Sequence, residues 1–91
     1  MSIRVSIIIP IFNAASTLQA AVDSLLRQDL AEVEFLLVDD GSTDETPEVC
    51  HRLASQDSRV QVVPQKNAGI CAARNRGLSV ARGEYIAFCD D

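Results

Sequence analysis

Four short, largely apolar segments alternate with segments of helical periodicity along this chain of 91 residues. The first reads RVSIII, and its near-continuous apolar run predicts a strand buried on both faces. The third, RVQVV, alternates as a strand should, and Pro64 is expected to end it. The predicted strands are residues 4–9, 34–38, 59–63 and 84–89.

Three helices are predicted between these strands. In the first, apolar residues recur at the spacing of a helix face: Leu18, Val22, Leu25 and Leu26. Ser16 is its expected N-cap. Pro47 suits the first turn of the second helix, where the backbone N–H groups have no helical partners. Asn67 is the expected cap of the third helix and Gly83 its C-terminal stop. The predicted ranges are 16–28, 43–56 and 67–81.

The alternation of strands and helices predicts the fold class. Strand–helix–strand units place parallel strands side by side through right-handed crossovers. We therefore predict an α/β protein, a three-layer, Rossmann-like unit with a parallel sheet. Its 91 residues suffice for one small domain, residues 1–91, and the chain has no repeat or linker-like segment.

Composition and charge argue against several function classes. An apolar fraction of 47% is that of a globular chain. The formal net charge is −5 and the basic residues are scattered, which argues against a nucleic-acid surface. The apolar run VSIIIPIF has eight residues, whereas a membrane-spanning helix needs about 20. We predict neither a membrane span nor a signal peptide.

The cysteines indicate no metal or disulfide framework. Cys50, Cys71 and Cys89 are widely spaced and form no C-x-x-C pair, so a zinc site is not predicted. We expect three reduced, mostly buried thiols in a cytosolic protein.

Polar and acidic residues follow three of the predicted strands. In open α/β sheets, ligands bind at the carboxyl ends of the strands. Asn13 follows the first strand, Asp39 and Asp40 the second, and Asp90 and Asp91 the fourth. Adjacent carboxylates repel unless a metal, a ligand N–H or a helix start compensates them. The pair after the second strand predicts a ligand site, and the alternative is a turn whose acids cap the next helix.

The third helix and the end of the chain add further candidates. Gly69 lets a ligand approach closely, and helix N-termini attract phosphates. Arg74 either pairs with Asp40, reaches an anionic ligand or lies in solvent on the outer face. Asp90 and Asp91 would hold Mg²⁺ or Mn²⁺ together with substrate phosphates, unless they are a frayed acidic terminus.

Three motifs, in this order, resemble glycosyltransferase family 2, a group of inverting nucleotide-sugar transferases with the GT-A fold. VSIIIPIFN is similar to the family's opening strand and turn, and VDDGSTD to its most recognisable motif. NAGICAARNRGLSVARGEYIAF is similar to the segment that leads into the next strand. One such motif is a weak signal, but three at these separations indicate the N-terminal half of a GT-A fold.

The resemblance implies a nucleotide site. Pro10, Phe12 and Asn13 would line the base pocket, with Phe12 in place of the commoner tyrosine. Asp40 would accept a hydrogen bond from a uracil-type base, and Asp39 would support the ribose side.

The resemblance also implies a phosphate and metal site. Arg74 would lie against the nucleotide. Asp90 and Asp91 resemble the start of the family's D-x-D segment, which chelates the Mg²⁺ or Mn²⁺ that bridges the two phosphates. The general base is expected beyond Asp91, so we expect no catalytic residue within this chain and no activity of the chain alone.

The expected function is that of the donor-nucleotide-binding portion of an inverting glycosyltransferase. The enzyme would move a sugar from a nucleotide diphosphate, UDP in the first place, to a hydroxyl of a glycan or lipid-linked acceptor. We expect an enzyme of cell-envelope or polysaccharide biosynthesis that is cytoplasmic and, in its full-length form, peripheral to the membrane. In the family a later strand flanks the fourth one, so its exposed edge here predicts a homodimer.

Other function classes are weighed against this one. A non-catalytic α/β nucleotide-binding or interaction module would keep the fold without donor binding, and Asp39, Asp40 and Arg74 speak against it. Phospho-acceptor receiver domains carry their acidic pair after the first strand, whereas here the pair follows the second. A dinucleotide-binding domain would need a G-x-G-x-x-G after the first strand, which this sequence lacks.

Overall fold

A parallel sheet with helices on both faces is formed by residues 3–28 and 32–89, the part of the chain that the computed structural model describes. None of the described helices is long and apolar enough to cross a membrane. The elements follow in the order β1 (Val5–Ile11), α1 (Ala15–Leu26), β2 (Val33–Asp40), α2 (Thr46–Gln56), β3 (Val60–Gln65), α3 (Ile70–Val80) and β4 (Tyr85–Phe88). The predicted alternation of strands and helices is confirmed.

The strands of this sheet lie in the order β3-β2-β1-β4, and every pairing is parallel. All eight residues of β2 are buried, which explains why its middle is continuously apolar instead of alternating. Ile11 at the end of β1 lies opposite Asp39 near the end of β2. The loops that follow both strands therefore start at the same edge of the sheet.

Each face of the sheet buries its own hydrophobic cluster. On one face Phe35 packs with Leu18 of α1 and Leu53 of α2. On the other face Leu36 packs with Ala73 of α3. Consecutive residues of β2 thus pack against helices on opposite faces of the sheet, as the alternation of strand side chains requires. The predicted three-layer α/β class is confirmed.

The expectation that Pro64 ends the third strand is wrong, because β3 continues through it to Gln65. β3 lies at one end of the described sheet and pairs there with β2. A proline is tolerated on such a strand because its missing N–H need not face the partner. The extension matters for the site, since it places Gln65 opposite Asp40.

The predicted Ser16 cap of α1 is also wrong. The helix begins at Ala15, and its N-cap is Ala14, whose methyl group accepts no hydrogen bond. The amide N–H groups at this end are bound instead by the β2–α2 loop and by the first residue of α2. Thr46 Oγ1 accepts from Ala14 N at 2.9 Å, and Asp44 Oδ2 accepts from Ala15 N at 3.4 Å. The capping groups therefore come from another element.

The predicted cap and stop residues of the third helix are wrong, although its predicted end at about residue 81 agrees with the C-cap Ala81. α3 starts at Ile70 after Gly69, whose φ is 96°, so Asn67 is not its N-cap. It ends before Gly83, which packs against β1 instead of stopping the helix. A Cβ on Gly83 would lie 2.6 Å from Ser6 N, so the absence of a side chain is what allows this contact.

β4 lies at the other end of the described sheet, next to β1. Its side chains Tyr85, Ile86 and Phe88 are 59%, 38% and 47% exposed. The exposed apolar edge expected for the fourth strand is therefore present in the described part of the chain. The homodimer inferred from it stays a prediction.

The three cysteines lie in different surroundings. Cys50 on α2 is buried in the core, and Cys89 is partly buried. Cys71 is exposed in the first turn of α3, so the expectation of mostly buried thiols is wrong for this residue.

Candidate functional site

A cavity of about 360 Å³ opens at the carboxyl edge of the sheet, between the end of β1 and the start of α3. Its walls are mainly apolar, and Phe12 and Ile70 are each 51% exposed. Its size and its few polar groups are those of a small-molecule site. The lining residues are Pro10, Ile11, Phe12, Asp40, Asn67, Gly69, Ile70 and Ala73.

The structure brings together part of the predicted nucleotide site. The predicted residues that line the cavity are Pro10, Phe12 and Asp40. Asn13, Asp39 and Arg74 lie outside this lining. Their direct contact with a nucleotide stays a prediction.

The carboxylate of Asp40 is buried and surrounded by hydrogen-bond donors. Oδ1 accepts from Gln65 Nε2 and from Ala68 N, both at 2.8 Å. Oδ2 accepts from Gly69 N at 3.0 Å and from Asn67 Nδ2 at 3.4 Å. Burial alone raises the pKa of this group, but the hydrogen bonds from Gln65, Ala68 and Gly69 outweigh burial and hold the pKa below its ordinary value. Asp40 is therefore ionised at neutral pH.

The surroundings of Asp40 revise one expectation and constrain another. Asp40 binds the amides of Ala68 and Gly69, just before α3, so a protein carboxylate lies beside the helix start that is expected to attract a phosphate. Asp40 is not the cap of α2, the next helix in the chain, whose N-cap is Glu45. The predicted base contact of Asp40 stays a prediction, and a ligand N–H would meet oxygens that already accept hydrogen bonds from described residues.

Asp39 and Asp40 lie on opposite faces of β2, because successive strand residues alternate. This separation relieves the repulsion expected between adjacent carboxylates. Asp39 Oδ1 accepts from Ser42 N at 3.1 Å, which ties the carboxylate to its own turn. Burial and the charge of Asp39 together raise the pKa of the Cys50 thiol to about 12. Cys50 is thus a protonated core residue and not a nucleophile.

Asn13 connects the end of β1 to the loop after β2 through hydrogen bonds. Its φ is 49°, a left-handed conformation that asparagine adopts more readily than most residues. Asn13 N donates to Ser42 Oγ at 2.9 Å, and Asn13 Oδ1 accepts from Thr43 N at 2.8 Å. These bonds fix the turn that carries Phe12 and so position one wall of the cavity.

Gly41 allows the end of β2 to pack closely against Asn67. Its φ is 70°, and a Cβ at this position would lie 2.5 Å from Asn67 N. Both the left-handed backbone and the close approach require glycine. The side chain of Asn67 is bound as well, because its Nδ2 donates to the backbone oxygen of Asp40 at 3.0 Å. Asn67 is therefore held at the cavity wall through its backbone and its side chain.

Arg74 is partly buried and lies over a ring of the neighbouring strand. Its guanidinium carbon is 5.8 Å from the centroid of Phe88 on β4, within the range of a cation–π contact. The alternative of an arginine fully in solvent is therefore wrong.

The predicted metal ligands Asp90 and Asp91 lie outside the described residues. Within residues 3–28 and 32–89, no group of three or more His, Cys, Asp or Glu side chains is placed to hold a metal ion. The divalent-metal site therefore stays a prediction.

Some cavity residues were not assigned to the nucleotide site from the sequence: Ile11, Asn67, Ile70 and Ala73. Ile70 and Ala73 are three residues apart and so share one face of α3, a spacing that is readable in the sequence. Nothing in the sequence indicated that Asn67 lines a cavity, because an asparagine before a helix is ordinarily a cap.

Comparison with known proteins identifies the family to which this chain belongs. The family model described as Glycosyl transferase family 2 matches residues 6–91. The chain belongs to this family. Glycosyltransferase GlyG of Streptococcus pneumoniae serotype 4 is 45% identical over 91 residues, which cover 99% of this chain and 30% of GlyG. This chain thus spans less than a third of that relative.

Two solved structures of glycosyltransferases are similar in fold. The mannosyltransferase PcManGT from Pyrobaculum calidifontis, in complex with GDP-Man and Mn²⁺, superposes with a TM-score of 0.89 at 29% identity. S. aureus TarS 1–349 in complex with UDP-GlcNAc superposes with a TM-score of 0.87 at 31% identity. The alignments cover 99% and 96% of this chain but 28% and 26% of those chains. The resemblance to GT-A glycosyltransferases is confirmed.

Proposed function

We propose that this chain is the donor-nucleotide-binding portion of an inverting glycosyltransferase that uses a UDP-sugar and transfers the sugar to an acceptor hydroxyl. The observation that carries the proposal is the cavity at the carboxyl edge of the sheet, with apolar walls and one buried, ionised carboxylate. Parallel sheets bind their ligands at this edge. The complexes of TarS with UDP-GlcNAc and of PcManGT with GDP-Man support a nucleotide-sugar ligand.

In this proposal the base lies between apolar side chains. Phe12 and Ile70 are half-exposed at the cavity and would cover the faces of a planar ring, with Pro10 beside them. Asp40 would accept a hydrogen bond from the base at the polar side of the cavity. Asp39 and Arg74 would act on the ribose and diphosphate, outside the cavity itself.

A divalent cation, Mg²⁺ or Mn²⁺, is part of the proposal. Asp90 and Asp91 would hold it, and carboxylate oxygens are the ligands that both ions accept. Cys89 N donates to Ile8 O at 3.0 Å, so the ladder between β1 and β4 continues to the residue before Asp90, toward the carboxyl edge. The cation would supply charge neutralisation for the donor's two phosphates.

We place the general base beyond Asp91 and the acceptor among glycans or lipid-linked molecules. We place the enzyme in the cytoplasm, at the membrane surface, in cell-envelope or polysaccharide biosynthesis.

NMR titration of the ¹⁵N-labelled chain with UDP, with and without Mg²⁺, tests the proposal. Saturable shifts are expected at the amides of Phe12, Gly69 and Ile70, and Mg²⁺ avoids the broadening that Mn²⁺ would cause. The exposed C-terminal turn of α2 should not respond. A well-folded sample without shifts at millimolar UDP would contradict donor binding and favour a non-catalytic module.

Phe12→Ala is expected to raise the Kd for UDP about tenfold, because stacking of a base on an aromatic ring contributes about 1–3 kcal/mol. Tyr85→Ala is the matched control, since it removes another half-exposed ring, on β4 and outside the cavity lining. Equal effects of the two substitutions would argue against a base at Phe12.

We also propose that two copies of the chain associate through β4. The edge of this strand and its apolar side chains are exposed, which favours pairing with another strand. Sedimentation velocity should show a dimer at high protein concentration, and Ile86→Lys should shift it to monomer. Leu78→Lys, which changes an exposed apolar residue on α3, should leave the dimer intact. A monomeric parent chain at high concentration would refute the pairing.

A further inference from the structure

Two cavities lie toward the amino ends of the strands, away from the cavity at the carboxyl edge. The larger, of about 300 Å³, lies between β2, β3 and the end of α3, and the smaller, of about 170 Å³, lies between the starts of β2 and β3. Glu34, Gln61 and Arg82 line both cavities. The two spaces therefore share a carboxylate, an amide and a guanidinium that the proposed function does not use.

The two oxygens of the Glu34 carboxylate are held differently, although the residue is only 2% exposed. Oε2 accepts from Ser6 Oγ at 2.6 Å and from the backbone N of Arg82 at 2.8 Å. In the described part of the chain, Oε1 accepts only from the Arg82 guanidinium, from Nη2 at 3.2 Å and from Nε at 3.3 Å. Charge-assisted hydrogen bonds are ordinarily shorter, at about 2.7–2.9 Å. Oε1 is therefore the weakly held oxygen.

The Arg82 side chain can leave Oε1 without releasing the backbone. Its guanidinium is 64% exposed, and exposed ion pairs contribute little to stability. The backbone N of Arg82 donates to Oε2, so this bond is independent of where the side chain lies. A buried carboxylate that loses its cation requires another cation in its place. Oε1 is therefore a position at which one cation can be exchanged for another.

The surroundings of Oε1 favour one kind of cation. Gln61 Nε2 donates to Ser58 O at 3.5 Å, so the side-chain oxygen is the end of this amide that can accept from a ligand. The larger cavity is also lined by the apolar side chains of Leu36, Val63 and Val80. An ammonium group donates to single oxygens in several directions, whereas a guanidinium fits best on both oxygens of one carboxylate. Separate oxygens beside an apolar wall thus suit an ammonium group on an alkyl stem.

We propose that the larger cavity binds a small primary amine in its ammonium form. The N–H groups of the amine would bind Glu34 Oε1, in place of the Arg82 guanidinium, and the Gln61 oxygen. A short alkyl stem would lie against the apolar wall of Leu36, Val63 and Val80. Such an amine is protonated at neutral pH, as a lysine side chain is. This amine site is separate from the donor site and goes beyond the proposed function.

NMR titration of the ¹⁵N- and ¹³C-labelled chain with n-butylammonium chloride tests the amine site. Saturable shifts are expected at the methyl groups of Val63 and Val80 and at the carboxyl carbon of Glu34, whereas Phe12 in the other cavity should not respond. Sodium butyrate, a probe of opposite charge and similar size, should cause none of these shifts. Butyltrimethylammonium has the charge but no N–H group, and its Kd should be at least tenfold higher.

Arg82→Ala separates exchange of cations from general damage to the cavity. This variant removes the competing cation, so the Kd of butylammonium is expected to fall about two- to fivefold, as loss of an exposed ion pair would give. Arg76→Ala removes another exposed arginine, on α3, and should leave the Kd unchanged. Glu34→Gln keeps the shape but removes the charge, and should raise the Kd at least tenfold. Tighter binding by Arg82→Ala cannot result from a loss of folding.

Several results would overturn the amine site. Butyrate shifts that disappear in Arg82→Ala would make the cavity an anion site. Butylammonium that causes no saturable shifts in the parent chain or in Arg82→Ala, or that binds both with the same Kd, would exclude exchange at Glu34. A capped lysine amide that binds more tightly than butylammonium would make a protein side chain the ligand instead of a free amine. None of these results affects the UDP titration, so the donor site is tested separately.

Discussion

Asp40→Ala is expected to lower the free energy of unfolding by about 3 kcal/mol and to abolish detectable UDP binding. The substitution removes the acceptor for Gln65 Nε2 and for the amides of Ala68 and Gly69. Hydrogen bonds to a charged group contribute about 1.5–3 kcal/mol each, and water can replace part of this loss because the three bonds are only partly buried. Since Asp40 and Gly69 line the cavity, binding is lost together with stability. Urea unfolding followed by circular dichroism, and the UDP titration, measure the two effects.

The neighbouring acid provides the matched control. Asp39 is buried to a similar extent, but its carboxylate accepts one backbone hydrogen bond in the described structure, from Ser42 N. Asp39→Asn keeps an oxygen for this bond, so a loss of about 1 kcal/mol or less is expected. If both substitutions cost the same, Asp40 would not be the anion that organises the start of α3.

The fold was predictable because its signals are local. The apolar middle of β2 and the helical spacing of Leu18 and Val22 each lie within one element, and each placed that element correctly. The helix caps failed because their partners are distant in sequence. The amide of Ala14 is bound by Thr46, 32 residues away, and no pattern around Ala14 indicates this.

The candidate site was likewise predictable only in part: its location could be inferred from the sequence, but the direction of its side chains could not. The sheet edge was predictable from the alternation of strands and helices, which implies parallel strands, and it correctly indicated Pro10, Phe12 and Asp40 as neighbours. The direction of each side chain was not predictable. Asn13 looks like a ligand residue in the sequence, yet its amide oxygen binds Thr43 N. Which donors surround a carboxylate depends on loops that only the folded chain brings together.

A third buried carboxylate, nearer the opposite edge of the sheet than Asp39 and Asp40, was missed in the sequence. Glu34 sits in β2 and is 2% exposed. Ser6 Oγ donates to its Oε2 at 2.6 Å, and Arg82 N donates to the same oxygen at 2.8 Å. The Arg82 guanidinium, itself 64% exposed, reaches Oε1 at 3.2 Å. Gly83 N donates in turn to Ser6 Oγ at 2.8 Å. Glu34 thus holds the α3–β4 loop against β1.

Glu34→Ala is expected to lower the free energy of unfolding by about 3 kcal/mol, because it leaves the Ser6 hydroxyl and the Arg82 amide without their acceptor. Glu34→Gln keeps the shape and one oxygen, so a smaller loss of about 1–2 kcal/mol is expected. Urea unfolding at pH 7 measures both. Glu32→Gln, at an exposed position two residues earlier, is the control and should change stability by less than about 0.5 kcal/mol.

The charge of Glu34 gives this prediction a pH dependence with a definite sign. Burial alone raises its pKa, but hydrogen bonds from Ser6 and Arg82 and the charge of Arg82 outweigh burial, so the net pKa lies below the ordinary 4.5. The ionised group therefore stabilises the fold fully above pH 4.5, and this contribution is lost as the pH falls through the lowered pKa. The stability difference between the parent chain and Glu34→Ala should shrink at acid pH. A difference that stays constant down to about pH 3 would mean that packing, and not the carboxylate charge, holds the α3–β4 loop.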